Sequence, residues 1–287
     1  MSNDLSLFAG IDLATRIERA ERSLMAEGAQ ATARRDPRER VLLQPIGSGL
    51  AVWAGAYSPL DKVVGVGMGE EFDDAVLEAV EAAYAERGAP VQFEVSTLAD
   101  PSVVDRLTRR GYVLTGFENV LGLPLAPGRA AQPAEGVEVR VVGSGEFDRW
   151  LDIFIDGFAA PDTQGVGSDE AFPREVLAHA MRDMAGASGF SGSIAWLDGA
   201  AAGAASLRLH DGVAQLCGAA TLPEFRRRGV QASLLSTRLA AAAVAGCDLA
   251  VVTTLPGSKS QQNVQRLGFQ LLYARAILVA PAAAAQR

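Results

Sequence analysis

Arg226, Arg227, Arg228 and Gly229 stand together between an apolar run at 213–221 and an alanine-rich amphipathic run at 230–245. The pattern reads as a strand, a tight basic turn and the first turn of a helix. A helix start leaves several backbone N–H groups without partners, and its aligned peptide dipoles add partial positive charge. Three guanidinium groups add full charge, so the turn suits a phosphate or pyrophosphate. Gly229, with no Cβ, lets the backbone come close to such a group. Other reactive side chains are sparse. The two histidines, His179 and His210, lie far apart, and the two cysteines, Cys217 and Cys247, show no metal-ligand spacing. No metal site and no Cys/His nucleophilic pair is expected.

The elements that must position this turn can be read from periodicity and turn residues. The second half runs as a strand at 137–142, helices at 146–158 and 170–185 around a loop, and strands at 193–197, 201–209 and 213–221. Asp198-Gly199 and Asp211-Gly212 are hairpin dipeptides between those strands. After the basic turn and its helix come a strand at 248–254, a short helix at 258–267 and strands at 269–273 and 276–280. The first half begins with an amphipathic helix at 4–30 and short strands at 41–46, 50–54 and 62–66. It continues with a helix at 72–87, a strand at 91–97, a short helix capped by Asp100 with Pro101 at its first position, and two strands after Gly111. A stretch rich in Pro, Ala and Gly at 125–136 lies between the halves.

The halves also repeat. Shifted by 157 residues without a gap, Val252, Thr254, Leu255, Arg266 and Gly268 fall on Val95, Thr97, Leu98, Arg109 and Gly111. Such a run, carried through a strand, a helix and a strand, points to two copies of one fold. The same shift lays Arg226, Gly229 and Gln231 on Gly69, Phe72 and Asp74. The segment that answers Arg226 to Gln231 is therefore Gly69 to Asp74, whose Glu70, Glu71, Asp73 and Asp74 would repel a pyrophosphate.

The basic turn resembles the acyl-CoA-binding loop of the GCN5-related N-acetyltransferases (GNAT), which carry Arg/Gln-x-x-Gly-x-Gly/Ala, often with a preceding proline. The matching residues are Pro223, Arg226, Gly229 and Gln231, and Gln231 departs from the usual Gly or Ala. The segment 258–269 is similar to the family's last helix and its Gly-Phe pair, and the order of elements from 136 to 280 follows the family. The resemblance implies an α/β (α+β) fold of two tandem GNAT-like domains, each a mixed, mostly antiparallel sheet flanked by helices. The expected boundaries are a degenerate domain at 1–126, a linker at 127–135 and an acetyl-CoA-binding domain at 136–287. It implies a cofactor site at Ala220, Thr221, Leu222, Arg226, Arg227, Arg228, Gly229, Val230, Gln231, Ala232 and Ser233, with Asn263 on the last helix. Acetyl-CoA would be the acyl donor, and its acetyl group would pass by direct attack to a primary amine of a small molecule. The Tyr that protonates the leaving thiolate in many members is replaced by Val264, so the catalytic residues stay open, with Tyr273, His179 and Glu224 as candidates. The alternative is a non-catalytic acyl-CoA-binding or regulatory module. A third reading makes both halves a scaffold for a protein partner.

The whole chain narrows the classes. A net charge of −8 argues against a nucleic-acid partner. No apolar run approaches the ~18 residues of a membrane span. The N-terminus lacks the pattern of a signal peptide. A cytoplasmic monomer or homodimer is expected.

Overall fold

The computed structural model describes residues 7–160, 164–166 and 172–281. Its first half runs α1 (Ile11–Arg35), β1 (Leu42–Ile46), β2 (Gly49–Trp53), β3 (Lys62–Val64), α2 (Asp74–Ala85), β4 (Gln92–Ser96), α3 (Pro101–Arg109) and β5 (Val113–Pro124). The second half runs β6 (Val137–Val141), α4 (Phe147–Ala159), α5 (Arg174–Ala185), β7 (Phe190–Leu197), β8 (Ala200–His210), β9 (Val213–Gln215), β10 (Ala219–Thr221), α6 (Val230–Val244), β11 (Leu249–Thr254), α7 (Lys259–Arg266) and β12 (Gln270–Val279). Mixed, mostly antiparallel strands flanked by helices make this the α/β class that was expected.

Two compact units form, one from residues 8–120 with 272–281 and the other from 121–271 with Leu7. The division departs from the expected boundaries at 126 and 136, because it falls inside β5 and β12. In the N-terminal unit the strand order is β1-β2-β3-β4, then the 272–279 part of β12, then β5. β12 is antiparallel to β4, with Arg275 opposite Ser96 and Val279 opposite Gln92. Leu77, Val80, Tyr84, Val103 and Leu107 of α2 and α3 pack with Val63, Phe93 and Val95. Period-2 alternation turns Glu94 to the other face. There Arg275 sits between carboxylates: its Nε donates to Glu18 of α1 (2.9 Å) and its Nη1 to Glu118 of β5 (3.0 Å). The Tyr273 hydroxyl donates to the same Glu18 (2.7 Å), and Lys62 Nζ donates to Glu94 (2.8 Å).

In the C-terminal unit the 121–124 part of β5 lies beside β11, followed by β9, β8, β7 and β6. Trp150, Phe154 and Met181 of α4 and α5 pack with Ile194 and Ala204. Val230 and Leu234 of α6 pack with Ala195 and Ala205. Leu235 and Leu239 join Ala250 and Val264.

Several elements differ from their expected extents. α1 continues past Gly28 to Arg35, because Ala29, Ala31 and Thr32 remain buried against the unit. The two strands expected after Gly111 are the single β5, and those expected at 269–273 and 276–280 are the single β12. The helix expected at 170–185 is seen as Arg174–Ala185, while residues 170 and 171 lie outside the described ones. No helix among the described residues is long and apolar enough to cross a membrane.

Candidate functional site

The strand expected at 213–221 is interrupted, and the interruption makes the site. β9 pairs with β8 through Arg208 opposite Gln215, whereas β10 pairs through Ala205 opposite Ala219, so one extra residue lies on the β9–β10 side. This is a β-bulge, which bends its strand away from the neighbouring ladder. Gly218, at φ +124°, takes up the distortion. Arg238, buried on α6, fastens it: Nη1 donates to the carbonyls of Ser206 (2.9 Å) and Gly218 (3.2 Å). Burial without a facing carboxylate pulls this guanidinium down to about 10. β9 stays parallel to β11 as far as Val251, whose carbonyl accepts from Leu216 N–H (2.9 Å), while β10 pairs only with β8. A gap therefore opens between β10 and the end of β11. Gly218 accepts from Ser206, and Leu222 donates to Ala202, so by antiparallel alternation the N–H groups of Ala219 and Thr221 point away from β8.

Beyond β10 the chain makes a 3-10 turn, Pro223–Phe225, and reaches α6 through two left-handed residues, Arg227 (φ +61°) and Gly229 (φ +82°). The first-turn N–H groups of Gln231 and Ala232 have no acceptor among the described residues, and no side chain caps the helix. The three arginines divide. Arg226 donates to Thr221 O (3.2 Å) and to Ala160 O, Arg228 pairs with Asp198 (2.7 Å), and Arg227 is exposed with no partner among the described residues. Free donors at a helix start thus follow closely in the chain on one free cation, a combination that suits an anion.

Residues 148–269 match the sequence model of the Acetyltransferase (GNAT) family. They form a GNAT domain. Known structures extend the likeness of fold over the whole chain. A GCN5-related N-acetyltransferase from Kribbella flavida is 19% identical with a TM-score of 0.65, over 94% of this chain and 96% of that one. A tandem GNAT protein from the clavulanic acid biosynthesis pathway is 15% identical with a TM-score of 0.59, over 98% of both chains. A search of curated proteins finds no match.

Within the GNAT domain the expected site residues sort into three groups. Thr221, Arg227, Gln231 and Ala232 border the gap or the helix start, and Asn263, half-buried on α7, has no partner among the described residues. A second group supports the loop. Arg226 clamps it through two carbonyls, and Arg228 is held by Asp198. Ala220 is buried against Gly157 of α4, and the Leu222 N–H is spent on Ala202. The side chains of the third group turn inward. Val230 is a core residue, and Ser233 is fully buried, its hydroxyl donating to Gly229 O (2.9 Å) and accepting from Ala134 N–H (2.8 Å). Gly229 itself departs from its expected role: a Cβ there would collide with the Ala134 methyl, so the linker occupies the space kept clear for a ligand.

The catalytic candidates fare worse. Tyr273 belongs to the N-terminal unit, where its hydroxyl is bound to buried Glu18, so it leaves the set. His179 is exposed on α5 and Glu224 is exposed on the 3-10 turn, neither with a partner among the described residues. Val264 is packed in the core. The bulge and Arg238, which shape the gap, stood outside the expected set. Only the out-of-place Gly218 and an arginine on the apolar side of a helix could have signalled them.

The first copy shows the same positions closed. The repeat shift of 157 residues lays β10 on β3 and β11 on β4. β3, however, is antiparallel to β2 and parallel to β4, with Val63 opposite Phe93 and Val64 opposite Glu94, so no gap opens. The Asp73 carboxylate caps α2 by accepting from Val76 N–H (2.9 Å), and Asp74 pairs with Arg106 (2.7 Å).

Proposed function

We propose that the GNAT domain transfers an acetyl group from acetyl-CoA to the primary amine of a small molecule, by direct attack of the amine nitrogen. The observation that carries this reading is the bulge-opened gap between β10 and β11, set beside a helix start with free N–H groups and a free Arg227. The residues present fit the cofactor. Arg227 and the N–H groups of Gln231 and Ala232 would hold its pyrophosphate, and Asn263 would reach it from α7. The outward N–H groups of Ala219 and Thr221 would hold the pantetheine and polarise the thioester carbonyl. Acetyl-CoA supplies the acyl group already activated as a thioester, with a thiolate as leaving group. The N-terminal unit is then a copy without a cofactor site, because sheet pairing and its own carboxylates occupy the equivalent positions.

A second reading, acyl-CoA binding without turnover, is favoured by the core placement of Val264, where many members of the family carry their acid. Calorimetry on the full chain tests both. One equivalent of acetyl-CoA should bind, and free CoA thiol should then appear once an accepted amine is added. Binding with no thiol release across an amine panel would leave the non-catalytic reading standing. Absence of binding at high micromolar acetyl-CoA would sink both.

A further inference from the structure

The cofactor site proposed above leaves one neighbouring feature unused: the aromatic pair at the end of α4. Phe154 is buried, Phe158 is 46% exposed, and their rings stack at 4.6 Å with 24° between planes. Both lie over the bulge. A Cβ on Gly218 would come within 2.8 Å of Phe154 Cζ and 3.8 Å of Phe158 Cζ. Gly157 allows this approach, since a Cβ there would lie 2.6 Å from the Ala220 Cβ. The last turn of α4 is tied to the basic loop, because Arg226 donates to Ala160 O. Phe158 thus presents an open aromatic face next to Gly218, one residue before the outward N–H of Ala219. The carboxylates on the same helix are occupied: Asp148 pairs with Arg182 (2.8 Å), and Asp152 and Asp156 both pair with Arg174 (Asp152 at 3.2 Å).

We infer that Phe158, seated on Phe154, is the platform for the body of the acceptor, so the acceptor is a primary amine carried on an apolar or aromatic group. This rests on the transfer reaction proposed above. An aromatic face at that point offers dispersion and ring stacking to an apolar body, and it carries no hydrogen-bonding atom for a polyhydroxylated one. The stacked partner matters as well. Phe154 is fixed in the core, so Phe158 meets the acceptor with little conformational freedom left to lose.

The test uses the full chain with benzylamine and ethanolamine, two primary amines of similar basicity. Rates are read as free thiol under saturating acetyl-CoA. Equilibrium binding of benzylamine to the CoA-loaded chain is read by calorimetry. Benzylamine should have a kcat/KM about tenfold or more above that of ethanolamine, and Phe158→Ala should bring the ratio close to one, mainly through KM. Phe158→Leu should keep an intermediate preference. Phe158→Ala should also weaken benzylamine binding while leaving CoA affinity unchanged, which separates a specificity role from a folding defect. Equal use of the two amines, or a preference untouched by Phe158→Ala, would overturn the inference. If neither amine is turned over, the binding arm decides, and no benzylamine binding to a chain that does bind CoA would overturn it alone. Failure to bind CoA at all would instead overturn the parent reaction and this inference with it.

Discussion

Three adjacent arginines do three different things. Arg226 ends on the carbonyls of Thr221 and Ala160, Arg228 on Asp198, and Arg227 on neither. Their effects should separate accordingly. Arg227→Ala should weaken acetyl-CoA binding about tenfold, the loss of one charge-assisted contact, with little change in melting temperature. Arg226→Ala should instead cost about 1–3 kcal/mol of stability, by leaving two carbonyls without their donor. Calorimetry beside thermal melts distinguishes the two. If Arg226→Ala lowers only affinity, the clamp assignment is wrong. At the same scale, Asp61 in the N-terminal unit has its carboxyl raised from 3.8 to about 7 by burial, despite an N–H from Ala54. The folded state holds the proton more tightly than the unfolded chain. Below the unfolded value the group adds no penalty, and stability is lost as pH rises from about 4 to 7. Asp61→Asn keeps the acceptor for Ala54 and cannot ionise, so melts at pH 5 and pH 8 should lie closer together than in the parent. An unchanged spacing would show that Asp61 ionises normally.

Gly229 joins a turn to a helix, and its glycine is required twice. Its φ of +82° is left-handed, and the Ala134 methyl fills the space of a Cβ. The linker is tied down on this helix, with Ala134 N–H on Ser233 Oγ (2.8 Å) and Gln132 N–H on Ser236 Oγ (3.2 Å). Gly229→Ala should therefore destabilise the chain by roughly 1–3 kcal/mol from backbone strain, with the collision added. Pairing it with Ala134→Gly should recover the collision part only. Full recovery in the double variant would show that the left-handed backbone costs nothing. The basic turn was legible in the sequence because contiguous residues carry it. The gap was not, because it arises from a one-residue slip in strand pairing: Gly218 is a local cue for a bulge, but the register on either side is set by the partner strand β8.

Across the whole molecule, each compact unit takes a strand segment from the other half of the sequence. Within the N-terminal unit, β5 and β12 meet through Glu118 and Arg275, positions 157 apart and thus equivalent in the repeat. Contacts at Thr115–Ile277 and Glu118–Arg275 advance in opposite directions, so the strands are antiparallel there. Arg275 is 1% exposed, and Glu18 and Glu94 beside it are nearly as buried. Arg275→Ala would leave buried Glu18 without its cation and Glu94 with Lys62 alone, and a loss of about 3–5 kcal/mol is expected. The paired reversal Glu118→Arg with Arg275→Glu should recover only part of it, since Glu18 would then face a carboxylate. Chemical unfolding of the full chain measures both, and a loss below about 1 kcal/mol for Arg275→Ala would show the network to be dispensable. A fragment ending at 271 would lack the 272–279 strand of the N-terminal unit. One starting at 130 would lack Leu121, Leu123 and Leu125 of the C-terminal core.

The sequence by itself determined the α/β class, the tandem repeat, the basic turn and the GNAT resemblance, because each is written in contiguous patterns of periodicity, charge and spacing. Only the tertiary structure decided which copy keeps an open gap, which arginine is left free, and where Tyr273 goes. Those outcomes depend on strand register and on which copy each last strand joins. The repeat gives β5 and β12 equivalent starts and similar local patterns, so both partners satisfy the sequence equally well. The choice becomes visible only when Arg275 is seen buried between Glu18 and Glu118.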